Sequence, residues 1–179
     1  MRSVLGRMMH ALPGFARARD AIASVEVALL ALPFMTILFA IIETGYMFFL
    51  AILLEGATAD AARQIRTGVV QESGSPLAKF QQTLCERMFN LIQCPQGVII
   101  DVRNYSRFED AVPPAMAASQ AGAMFAAGNP GDVIVVRVAF SWHFITPFLD
   151  QMLAQGDGGQ RTFISSAAFR NEPWGGPIN

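Results

Sequence analysis

Hydrophobic positions crowd into one long run near the N-terminus. No residue from Val27 to Ile42 is charged, and beyond Glu43 the apolar character resumes from Tyr46 to Leu54. The run exceeds the ~20 apolar residues an α-helix needs to cross the hydrocarbon of a bilayer. Pro33 interrupts it and predicts a kink, since proline removes a backbone donor and frees a carbonyl that local readjustment in lipid satisfies. From Glu55 to Arg66 the chain is rich in strong helix formers, so the helix is expected to continue into water and to end at Thr67-Gly68. A helix from Ile22 to Arg66 would run roughly 65 Å at about 1.5 Å per residue, twice the ~30 Å hydrocarbon thickness. It would project the following domain away from the membrane.

After that run the spacing shortens and mixes two periods. Ser75-Pro76 reads as a helix start, and Leu77, Phe80, Leu84, Met88 and Leu91 follow on one helical face, a stripe assigned to packing against a sheet. Val98, Ile100 and Val102 alternate with Ile99, Asp101 and Arg103 as a strand does. Val133 to Trp142 is a second strand with Ile134, Val136, Val138 and Phe140 on one side, and Thr162 to Arg170 is a third. Gly156-Asp157-Gly158-Gly159 marks a turn before the third strand, so the last two strands are expected to pair antiparallel. Between the first two, Pro113-Pro114 opens an alanine-rich stretch to Ala127, closed by Gly128-Asn129-Pro130-Gly131, which predicts a second helix and a turn. The fold class is α+β: a long N-terminal transmembrane helix, then a small domain with helices packed on a short antiparallel sheet.

Composition agrees with a chain partly solvated by lipid, since hydrophobic residues make up 53% and charged residues only 15%. A net charge of -1 offers no basic surface for neutralising phosphates, which removes nucleic acid as a partner. The charges that precede the apolar run decide its orientation. Arg2, Arg7, Arg17 and Arg19 face the single acid Asp20, a bias that keeps this flank in the cytoplasm and puts the C-terminal domain outside. A cleaved signal peptide would have an apolar core of only ~7–15 residues.

Cys85 and Cys94 both follow the apolar run, on the side expected to meet an oxidising compartment, where a disulfide competes with two buried free thiols. An unbroken helix would separate them by about 13 Å, whereas a bridge needs Cα atoms within roughly 7 Å. The helix carrying Cys85 must therefore stop near Phe89 or Asn90 if the bridge forms.

Catalytic chemistry has little to build on. His10 lies before the apolar run and His143 after it, so the two share no metal site or proton relay across a bilayer. Gly-x-Ser-x-Gly, His-Glu-x-x-His and phosphate-loop spacings are missing from the sequence. The reading is a non-enzyme with no metal, no cofactor and no small-molecule substrate. Trp142 to Leu153 carries more apolar surface than a small domain readily buries; Phe144, Ile145, Phe148, Leu149 and Met152 are a candidate partner surface, or else a cap on one end of the core.

Two acids stand in or beside the apolar run. Glu26 at its start favours the positive end of a helix, and Glu43 interrupts it at a position suited to a helix contact or the outer interface. Small residues nearby, Ala40, Thr44 and Gly45, allow close approach of another membrane helix, with Pro33 and Glu43 on the same element.

The segment from Arg17 to Pro33, with Ala21-Ile22-Ala23-Ser24-Val25-Glu26 at its centre, resembles the N-terminus of TadE-like proteins, pilin-like components of the Tad (Flp) pilus assembly system. The likeness extends through Ile42-Glu43-Thr44-Gly45 and from Glu55 to Arg66, and Phe169-Arg170-Asn171-Glu172-Pro173-Trp174 is similar to that family's closing strand and tail. The resemblance implies cleavage by a prepilin peptidase between Ala21 and Ile22, five residues before Glu26, although the family usually has glycine where Ala21 stands. It would leave a new amino group at Ile22 near Glu26 of the same or a neighbouring chain. The resulting organisation is a cytoplasmic basic leader at 1–21, a transmembrane helix extending into the periplasm at 22–66, and a periplasmic α+β domain at 67–179.

The implied function is that of a minor pilin or pseudopilin in the bacterial inner membrane, with other pilin-like subunits and the prepilin peptidase as partners. From another class, a bitopic membrane-anchored periplasmic domain that binds or senses a ligand outside any pilus complex stands as the alternative.

Overall fold

The computed structural model describes residues 19–116, 119–154 and 159–174. The leader arginines up to Arg17, His10, the residues Gly156-Asp157-Gly158 of the expected turn, and Ala117 and Ala118 lie outside them. The chain divides into two compact units, Met1–Glu43 and Thr44–Asn179.

Helix α1 spans Arg19–Arg66 without a break at Pro33. In the first unit Val25, Val27, Leu29, Leu30, Leu32, Phe34, Ile37, Phe39, Ile41 and Ile42 are all exposed, so apolar side chains point outward on every side of the helix. The Thr36 hydroxyl turns back to donate to the Leu32 carbonyl at 2.9 Å, so its polar group is satisfied within the helix.

In the second unit the same helix changes character. Met47, Leu50, Leu54, Ala57, Ala61 and Ile65 are buried at three- and four-residue steps, giving one apolar stripe. The sequence pattern had placed Tyr46 to Leu54 with the lipid-facing run and 55–66 in water; instead the buried stripe of both stretches is core. Hydrophobicity alone does not separate a lipid-facing residue from a core one, whereas this spacing does.

Helix α2, Pro76–Arg87, starts after Ser75 with proline in its first turn, as its sequence requires. It buries Phe80, Leu84 and, just past its end, Met88 in the core that α1 supplies. Thr83 Oγ1 donates to Gln64 Oε1 at 2.9 Å, and Arg87 reaches Asp60 at 3.0 Å, tying the two helices together.

Three strands, β1 (Val98–Tyr105), β2 (Val133–His143) and β3 (Gln160–Arg170), form one antiparallel sheet in the order β1-β2-β3. Val98, Ile100 and Val102 of β1 and Ile134, Val136, Val138 and Phe140 of β2 join the core cluster with α1 and α2. The expected antiparallel pairing of the last two strands is present, with Val136 opposite Ala167 and Phe140 stacked on Phe163 at 5.2 Å.

The second helix expected between Pro113 and Ala127 does not form among the described residues. Two short 3-10 turns, Phe108–Asp110 and Gln120–Gly122, stand in an otherwise extended strap. Tertiary hydrogen bonds override the alanine propensity here. Val102 N–H donates to the Met124 carbonyl at 2.7 Å, Ala126 N–H donates to the Val102 carbonyl at 2.8 Å, and the strap runs beside β1 through a parallel bridge, Val102 to Phe125. Gln120 completes it: its Oε1 accepts from Ile100 N–H at 2.7 Å and its Nε2 donates to the Ile100 carbonyl at 3.1 Å.

Candidate functional site

The opposite face of the sheet carries charge. Asp101 on β1 faces Arg137 on β2 in the strand register, and Asp101 is 1% exposed. Its carboxylate accepts from Arg103 Nε at 3.1 Å, from Arg137 Nη2, and from Met124 N–H at 3.0 Å. Arg137 Nη1 also donates to the Pro114 carbonyl at 2.7 Å, so the strap closes over the pair. Burial by itself would raise the Asp101 pKa; the bonds from Arg103, Arg137 and Met124 outweigh it and hold the carboxyl below its ordinary value. These bonds tie β1, β2 and the strap together at one buried carboxylate. Sequence reading passed over it, although Arg137 is the one charge inside the otherwise apolar run Val133–Phe140 and was its signal.

The disulfide is present. Cys85 on α2 and Cys94 bridge with Cα atoms 5.5 Å apart. The required stop occurs where expected: α2 ends at Arg87, and Phe89 and Asn90 both adopt positive φ, turning the chain back.

The ends of the second unit are unlike. At one end α1 stops at Arg66 and Gly68 takes φ +84°, with Trp174 packed where a Cβ would sit. Glu172 N–H donates to the Arg66 carbonyl, and Asn171 Nδ2 donates to the Ala127 and Asn129 carbonyls at 2.9 and 3.1 Å. Two segments far apart in sequence, Glu55 to Arg66 and Phe169 to Trp174, are thus joined here. At the other end the Tyr46 ring meets Trp142 edge to face at 5.6 Å, and the β2–β3 connection emerges beside it.

That connection holds the candidate partner surface. Ile145, Phe148 and Met152 are strongly exposed, at 83%, 66% and 79%, while Phe144 and Leu149 are half-buried and root the loop. A short helix, α3 (Leu149–Leu153), sets Phe148 and Met152 one turn apart.

Of the positions assigned to processing and helix packing, Ala21 and Ile22 lie in the first turn of α1 and Glu26, one turn on, is exposed. Pro33 and Gly45 are exposed, Ala40 and Thr44 are half-buried, and Glu43 is buried. Among the described residues no group of three or more His, Cys, Asp or Glu is arranged to hold a metal.

Among the described residues one helix, near the N-terminus, is long and apolar enough to cross a membrane, which fits a single-pass membrane protein with an α+β unit. Residues 21–63 match the family model described as TadE-like protein. The match lies wholly within α1, on the segment whose motif carries the resemblance, and stops short of the sheet. No curated protein and no solved structure matches the chain.

Proposed function

We propose that this protein is a TadE-like minor pilin or pseudopilin of the bacterial inner membrane that helps initiate or support assembly of a Tad (Flp) pilus through helix and domain contacts. The observation that carries the reading is the TadE-like match at 21–63 coinciding with a helix whose first half is apolar on every side. The arginine-bearing flank faces the cytoplasm and the disulfide-bonded unit the periplasm, an oxidising compartment that favours such a bridge.

A prepilin peptidase cuts between Ala21 and Ile22, and the new amino group pairs with Glu26 of its own or an adjacent chain, setting helix register in the assembly. Ala40, Thr44 and Gly45 give neighbouring pilin-like helices a close approach. Intact mass of the membrane-extracted protein, combined with crosslinking in membranes, tests the reading. Loss of Met1 to Ala21 and crosslinks to pilin-like subunits are expected. A full-length chain with no such neighbours supports the static anchored domain instead.

A further inference from the structure

We infer that the outer edge of β3 takes an extended segment of a partner protein as a further strand, laid in the groove between β3 and α1, with apolar side chains against Phe48 and Ile52 and a lysine or arginine against Glu55. All of these residues belong to the second unit, and the contact goes beyond the assembly reading above without depending on it.

The two edges of the sheet are treated differently. Along β1 the strap already lies in place: Met124 and Ala126 take the N–H and C=O of Val102, and Gln120 takes both polar groups of Ile100. β3 is the other edge. Its 11 residues pair with β2 without a bulge, from Gln160 opposite His143 to Arg170 opposite Val133. Alternate residues of an antiparallel edge strand turn their N–H and C=O away from the neighbouring strand. Among the described residues no backbone group outside β2 bonds to β3. Folded sheets commonly blunt such an edge with proline, lysine or a bulge. β3 carries none of these, and its two arginines stand near its ends, at 161 and 170.

Beside this edge runs a groove, lined by Phe48, Ile52 and Glu55 of α1 and by Phe163 to Ser166 of β3. Phe48, Ile52 and Ile164 are exposed and make the lining apolar. Glu55 is exposed and forms no ion pair among the described residues. Here α1 follows β3 in the same direction: Tyr46 meets Trp142, which pairs with Arg161, and the Arg66 carbonyl meets Glu172, just past the strand. A strand laid in the groove therefore passes Phe48, Ile52 and Glu55 in turn. Its side chains point alternately toward α1 and away from it, so those facing α1 are apolar at the first two and basic at the third.

Backbone chemistry selects the occupant. The row of N–H and C=O groups on β3 is matched by the main chain of another strand, the way extended peptides add to exposed sheet edges. Lipid has no partner to offer such groups. A second copy joined through its own β3 about Ser165 would set the uncharged stretch Phe163 to Ala167 against Glu55 and leave that acid unmatched.

The test pans a display library of random short peptides on the full chain, held in lipid nanodiscs with its disulfide intact. Enriched peptides are expected to alternate apolar and polar residues and to carry a lysine or arginine. The leading peptide, made synthetically, should slow hydrogen exchange at alternate amides between Thr162 and Ala168, and methylating its alternate backbone nitrogens should abolish binding. Glu55→Lys, on an exposed position of α1, should weaken binding several-fold, and Glu55→Gln less. A library without enrichment, a bound peptide that leaves exchange on β3 unchanged, or a Glu55→Lys chain that binds as tightly overturns the inference. Alternate β3 amides already slow in the free chain, together with a dimer in sedimentation, assign the edge to a second copy and overturn it as well.

Discussion

Arg66 and Glu172 meet twice, once through the backbone, where the Glu172 N–H donates to the Arg66 carbonyl at 2.9 Å, and once through side chains at the same distance. Both side chains are about half exposed, so the ion pair itself adds only ~0–1 kcal/mol. The backbone bond does more, because it satisfies a carbonyl left open where α1 ends. Glu172→Ala is therefore expected to cost less than about 1 kcal/mol in urea unfolding of the detergent-solubilised chain.

Gly68 supports the same junction in a way no other residue can. Its φ of +84° and the Trp174 ring lying where a Cβ would go combine conformational strain with a steric clash. Gly68→Ala should lower stability by about 1–3 kcal/mol, clearly more than Glu172→Ala in the same titration.

The Cys85–Cys94 bridge closes a short loop, with a sequence separation of 9. Chain-entropy estimates for such a loop give about 2–3 kcal/mol. Replacing both cysteines by alanine should lower the melting temperature of the purified protein, and reductant should lower the wild-type value while leaving the double variant unmoved.

Asp101 supplies a pH dependence of definite sign. Its carboxyl is held below its ordinary value of 3.8, so the folded state binds this proton less readily than the unfolded chain does. The stability it contributes is complete above that ordinary value and is lost as the pH falls from it through the lower folded value. Asp101→Asn should remove this limb of the acid denaturation curve. It also leaves the Arg137 guanidinium buried without its counter-charge, a loss of roughly 3–5 kcal/mol at neutral pH.

Gln120 holds the strap by one side-chain amide on both polar groups of Ile100. Gln120→Ala should cost about 1–3 kcal/mol, since Ile100 N–H and C=O lose both partners. Hydrogen exchange would read it directly, as faster exchange at Ile100 and Val102; Gln120→Glu, which keeps the acceptor only, should fall between.

Much of this fold was legible in the sequence because its elements follow simple periods. The alternation Val98-Ile100-Val102, the proline start of α2 and the unbroken apolar run each express one local rule. Where several distant residues decide together, the sequence misled. Alanine between Pro113 and Ala127 favours a helix, but Gln120 and Met124 find better partners on the edge of β1 than a helix would give them. The limit of the lipid-facing run was obscured in the same manner: Met47, Leu50 and Leu54 are as apolar as Ile41, and only their three-and-four spacing with Ala57 and Ala61 marks a protein-covered face. At the candidate site, the exposed loop residues were found from excess apolar surface. The Asp101 cluster was missed because Arg137 reaches Asp101 from a strand 36 residues away in sequence.

That cluster has one more consequence. Asp101 and Arg137 stand directly opposite each other only when β1 and β2 are aligned as observed; slipping either strand by one residue would turn its charge toward the hydrophobic layer beneath. A mispaired hairpin would thus bury a lone ion among valines and isoleucines and come apart. Opposite charges at the centre of the sheet act as a proofreading key, admitting one alignment of two otherwise interchangeable aliphatic strands.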